Sequence, residues 1–137
     1  MQVDLSVIEG EYCRDILDQP RALENTLVSL LENPSLRELT ARLRKGNFTT
    51  LILTGMGSSF HALHPLQLKL IEHGIIAIMA EASELVHYQA RLFDPRTLVV
   101  AVSQSGQSAE VVRLLEINAA RSAVIGITNM PESPLAK

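Results

Sequence analysis

The chain has 137 residues, of which 47% are hydrophobic and 20% charged, with a mean hydropathy of +0.18, a formal net charge of −3 and a pI near 5.8. That length fits one ordinary domain with a packed core, which excludes two full domains and a disordered chain. The acidic balance, with 4% aromatics and no tryptophan, argues against nucleic acid and anionic membranes as partners, and the single cysteine, Cys13, excludes a disulfide framework or a multi-cysteine zinc site.

The N-terminus, Met1-Gln2-Val3-Asp4, has neither the basic start nor the apolar core of a signal peptide. No later run approaches the roughly 18 apolar residues that span a bilayer, so a cytoplasmic protein is expected. Residues 5–17 carry Leu5, Ile8, Tyr12 and Ile16 at helical spacing, with Gly10 weakening the pattern. Pro20 suits the first turn of a second helix that bears Leu23, Leu27, Leu30 and Leu31 on one face. Asn33-Pro34 reads as the N-cap and first position of a third helix, running to about Lys45. Leu36, Leu39 and Leu43 would face inward and Gly46 would stop it.

From residue 48 the pattern changes. Four short runs rich in β-branched residues follow at 49–54, 75–80, 97–102 and 123–128. Amphipathic helical stretches at about 58–73, 83–92 and 108–120 separate them, with Gly74 as a stop and Pro65 placed to kink the first or delay its regular start. Strand and helix alternating at this spacing give βαβ units. The lack of alternation within the strands predicts a parallel sheet buried on both faces. The expected fold is an α/β, three-layer, doubly wound parallel sheet of flavodoxin-like order 2-1-3-4 over residues 47–137, preceded by a helical arm over 1–46.

Such sheets bind ligands beyond the carboxyl ends of their strands. Two loops there are unusual: Gly55-Met56-Gly57-Ser58-Ser59 after the first strand and Ser103-Gln104-Ser105-Gly106-Gln107-Ser108 after the third. Each sets glycine and hydroxyls against a helix start, where unpaired N–H groups and a partial positive charge favour anions. Serine at a helix start is often only an N-cap. In the order 2-1-3-4, however, these two loops flank the switch point and converge, which favours a phosphate monoester. A nucleotide is the rival: Gly55-Met56-Gly57 opens a G-x-G-x-x-G fingerprint and Glu81 ends the second strand, but Phe60 takes the last glycine position. His61 and His64 are possible proton-transfer groups but more ordinary as surface residues, and no carboxylate or cysteine completes metal-ligand spacing. Glu81 and Glu84 suit the start of the next helix electrostatically, and a contact with the ligand is an equal alternative. Cys13, in the arm without a base partner, reads as a buried thiol.

These loops resemble the sugar isomerase (SIS) family of phosphosugar-binding domains, with the isomerase half of glucosamine-6-phosphate synthase and related phosphosugar isomerases and deaminases as the nearest branch. Residues 12–27 look like its leading helix, and Gly57-Ser58-Ser59 resembles its G-T-S loop. Glu81-Ala82-Ser83-Glu84-Leu85 resembles A-S-E-F, Ser103 to Ser108 resembles S-Q-S-G-E-T, and Thr128-Asn129-Met130-Pro131 resembles the end of the fourth strand. The resemblance implies a phosphate held by Ser59, Ser103, Gln104, Ser105 and Ser108, with Ser58 lining the sugar and Gly55, Gly57 and Gly106 supporting the loops. It implies a sugar phosphate such as fructose 6-phosphate or glucosamine 6-phosphate as ligand, no cofactor or metal, and a homo-oligomer, most simply a dimer. Gln107 and Ser108 stand where the family has Glu and Thr. The family's acid–base Glu, His and Lys lie beyond the stretch matched here, and a fifth strand would follow the fourth. The expectation is therefore an incomplete domain from an aldose–ketose isomerase or deaminase type of protein, inactive alone, its catalytic residues unknown. The alternative is a non-catalytic phosphosugar-sensing module.

Overall fold

The computed structural model describes residues 10–137. The chain divides into two compact units, Met1–Arg44 and Lys45–Lys137.

In the first unit, α1 runs Glu11–Glu32 and α2 runs Pro34–Arg44. Leu5 and Ile8, assigned to the first predicted helix, lie outside the described residues. The remainder of that helix and the second are one helix, with Pro20 inside it and not at its start. Nothing between Ile16 and Gln19 stops a helix. Pro20 removes one N–H bond, to the Ile16 carbonyl, and crowds that carbonyl, while the turns on either side keep theirs. The leucine stripe is not covered: no residue of α1 is buried, and Leu23, Leu27, Leu30 and Leu31 are 47% to 70% exposed. Cys13, on the same helix, is half-exposed and not the buried thiol expected. The break between the helices follows the sequence: the Leu36 N–H donates to Asn33 Oδ1 at 3.2 Å, an N-cap bond. Arg37 closes the turn by donating from Nε and Nη2 to the Leu31 carbonyl at 3.1 and 2.7 Å.

The second unit holds a four-stranded sheet of order β2-β1-β3-β4, all parallel: β1 Thr50–Gly55, β2 Ala77–Met79, β3 Thr97–Val102 and β4 Ala123–Ile127. Register is continuous from Thr50 opposite Thr97 to Gly55 opposite Val102. The two central strands are buried almost throughout, as continuous apolar runs predict. The outer strands differ. Only three residues of the run 75–80 pair, and Ile76 is 73% exposed. The end of β4 is exposed as well.

The helices take two faces. α5 (Ala82–His87) and α6 (Ala109–Asn118) cover one. There Leu85, Val111 and Leu114 pack with Ile52, Val99 and Ala101 in the main core cluster. α3 (Ser58–His61) meets β1 and α4 (His64–Glu72) meets β2. The single helix predicted over 58–73 is thus broken in two, with Pro65 in the first turn of α4, where its missing N–H costs nothing. The helix predicted over 83–92 stops at His87 and is followed by one 3-10 turn, Ala90–Leu92, which brings Phe93 into the core. The α6–β4 turn is held by buried Asn118: its Nδ2 donates to the Ser122 carbonyl and its Oδ1 accepts the Ser122 N–H, each at 3.0 Å.

Candidate functional site

The two serine loops leave the carboxyl ends of the neighbouring strands β1 and β3. Gly55 is where they meet. A Cβ on it would lie 2.8 Å from the Val102 carbonyl oxygen and 3.1 Å from the Phe60 nitrogen, so only glycine lets the first loop lie against the end of β3. Gly57 then caps α3 at φ +53, ψ −125, and Ser58 and Ser59 open that helix.

The second loop is tied to itself and to β4. Buried Ser103 donates its N–H to the Ile127 carbonyl at 3.0 Å, and its Oγ accepts the Gly106 N–H at 3.1 Å. The Ser105 Oγ accepts the Gln107 N–H at 3.3 Å. Because each hydroxyl uses its oxygen as an acceptor, each keeps a proton to donate. Gly106 is buried at φ +62; a Cβ there would fall 2.6 Å from Ser133 Cβ and 2.8 Å from Thr128 Oγ1. Ser108 holds the N-cap position of α6 with φ −58 and ψ 140, but its hydroxyl bonds no first-turn N–H. That hydroxyl is buried and has no partner in the protein. The N–H groups of Ala109, Glu110 and Val111 beneath it have no helical acceptor either, since the first-turn donors of any helix lack one.

Between the loops lies an open depression of about 360 Å³. Its polar lining is Ser58, Ser59, Gln104, Thr128 and Asn129; Ala62, Val102 and Ile127 supply apolar wall. The structure thus brings Ser58, Ser59 and Gln104 of the predicted set together around one cavity. Ser103, Ser105 and Ser108 belong to the same loop without lining that cavity. Thr128 and Asn129 were missed as site residues. The signal was available, since they too follow the carboxyl end of a strand.

The other polar candidates lie elsewhere. His61 is exposed, its ring tilted against Phe60 at 5.6 Å between centroids, and His64 is exposed at the start of α4. Glu81 is the N-cap residue of α5 and Glu84 sits in its first turn. Among the described residues, no group of three or more His, Cys, Asp or Glu is placed to hold a metal ion, and no helix is long and apolar enough to cross a membrane.

A parallel sheet of order 2-1-3-4 with a cavity at the carboxyl ends of its central strands defines a doubly wound α/β domain. Residues 45–137 match the SIS domain, and the chain belongs to that family. It is 35% identical over 130 residues to a glutamine–fructose-6-phosphate aminotransferase [isomerizing] of Aeropyrum pernix, covering 89% of this chain and 20% of that protein. It is 33% identical over 87 residues to the arabinose 5-phosphate isomerase KdsD of Pseudomonas aeruginosa, covering 63% of this chain and 27% of that one. The chain therefore spans about a fifth to a quarter of these curated relatives. The C-terminal domain of glucosamine-fructose-6-phosphate aminotransferase from Francisella tularensis shares the fold, with a TM-score of 0.77 and 20% identity over 98% of this chain and 39% of that one.

Proposed function

We propose that residues 45–137 bind a sugar phosphate, such as fructose 6-phosphate or glucosamine 6-phosphate, through the β1 and β3 loops. The observation that carries this reading is the convergence of Ser58, Ser59 and Gln104 on one cavity at the switch point of the sheet. Ser59 and Gln104 would grip the phosphate from the cavity wall with neutral donors, and Ser58 would face the sugar; Ser103, Ser105 and Ser108, which the family resemblance adds, would join them only by a shift of the β3 loop towards the ligand. Family membership supports the ligand class. Binding energy from the phosphate would then orient the carbons of the sugar for proton transfer.

The cavity lining contains no carboxylate, histidine or lysine. This segment's part is accordingly to anchor the ligand, within an isomerase or deaminase type of protein whose acid–base groups come from elsewhere. We place that protein in the cytoplasm as a homodimer, with the arm over 1–46 and the binding domain over 47–137. A phosphosugar-sensing module would use the same anchor.

Thermal melts with fructose 6-phosphate, glucosamine 6-phosphate and inorganic phosphate test the reading. A ligand at about 100 times its dissociation constant adds about 2.7 kcal/mol of stability. Ser108→Ala is the informative variant. An N-cap serine normally contributes about 1 kcal/mol, but this hydroxyl makes no cap bond. The variant should melt within a degree or two of the parent when unliganded and show a much smaller shift with ligand. If none of the three compounds raises the melting temperature, the reading is wrong.

A further inference from the structure

The segment that follows β4 is built against the serine loop, and this is not explained by the sheet. The Gln104 carbonyl oxygen accepts two bonds from it, the Thr128 hydroxyl at 3.1 Å and the Asn129 N–H at 3.2 Å. Thr128 in turn accepts the Met130 N–H on its Oγ1 at 3.1 Å. Its hydroxyl thus accepts from Met130 and donates to Gln104. Two residues further along the loop, the Gly106 carbonyl accepts the Leu135 N–H at 3.3 Å. Ser133, wholly buried in the same segment, packs against Gly106 closely enough to exclude any side chain there. Residues 128–135 thus grip the loop at Gln104 and again at Gly106, on either side of Ser105. Thr128 also lines the cavity itself.

We infer that Thr128 is a positioning residue for the ligand loop: its hydroxyl fixes the Gln104 peptide, and with it the direction in which Gln104 and Ser105 face the ligand. The inference rests on the sugar phosphate reading above. It assigns to the β4 loop a share in affinity that neither serine motif reveals.

The test compares Thr128→Val, which keeps the shape and removes the donor, with Thr128→Ser, which keeps the donor. Binding of fructose 6-phosphate is measured by calorimetry, and hydrogen exchange of the amides over 103–107 is followed in the unliganded proteins. Thr128→Val should bind about five-fold more weakly, the equivalent of one ordinary hydrogen bond, with faster exchange in the loop. Thr128→Ser should stay within about two-fold of the parent in binding, since the hydroxyl survives. A general loss of packing would not separate the two variants in this way. If Thr128→Val binds like the parent, or if both variants weaken alike, the inference is overturned while the binding reading stands. If the parent itself binds no sugar phosphate, the binding reading fails and takes the inference with it.

Discussion

Replacing Gly106 by alanine should be among the most damaging single-methyl additions in this domain. Two costs combine. The backbone at φ +62 is left-handed, which penalises an L-residue by about 1 kcal/mol. The added Cβ would also collide with Ser133 Cβ at 2.6 Å and Thr128 Oγ1 at 2.8 Å. Ser133 is fully buried and cannot swing aside, so the collision must shift backbone. Overpacking of that kind costs about 1–3 kcal/mol, for a total of about 2–4 kcal/mol. Gly74→Ala isolates the first cost, because Gly74 has φ +75 but nothing within 4 Å of the Cβ position. Urea unfolding, with a slope of about 1–2 kcal/mol/M, should show Gly106→Ala losing roughly two to four times as much stability as Gly74→Ala. Adding Ser133→Gly to Gly106→Ala should restore part of the difference as a coupling energy. Equal losses for the two glycine variants would refute the packing argument and leave only the backbone cost.

Two further changes concern the α6–β4 turn. Asn118→Ala removes both bonds that its buried amide makes with Ser122 and should cost about 2–3 kcal/mol in chemical unfolding; a loss under about 0.5 kcal/mol would mean that the turn holds itself. Ala119 and Ala120 follow with φ of +44 and +59, unusual for alanine, so Ala120→Gly should raise stability by up to about 1 kcal/mol by thermal melt, and a drop would contradict the assigned strain.

Most of the sheet was legible because parallel strands buried on both faces need continuous apolar runs, and those over β1 and β3 have them. The run at 75–80 looked as strong, but its strand pairs on one side only, and three paired residues suffice there. Local signals placed the break at Asn33 and the delayed regular start at Pro65, since capping and proline act within one turn, but not the separate short helix before it. They misjudged Pro20, because a proline that suits a helix start is also tolerated within a helix when no stop precedes it. Tyr88 and Gln89 carry no breaker, and the end of α5 there reflects the demand of Phe93 for the core, a tertiary effect invisible to periodicity. At the site, serines in a motif announced the loops. Which of them line the cavity was not legible, because the β3 loop is bonded to the segment after β4, 24 residues away in sequence.

The neutral lining of the cavity bears on how any anion would reach it. A doubly charged ligand approaching a chain of net charge −3 gains no long-range attraction, so encounter is left to unguided diffusion. The pull of helix-end N–H groups fades within about a turn, so it acts only after the ligand has arrived. Such a site is little affected by ionic strength, because the interactions that salt screens contribute little. On the sugar phosphate reading it would select by the number and geometry of donors that close on the phosphate, a property set by the shape of two loops and not by net charge.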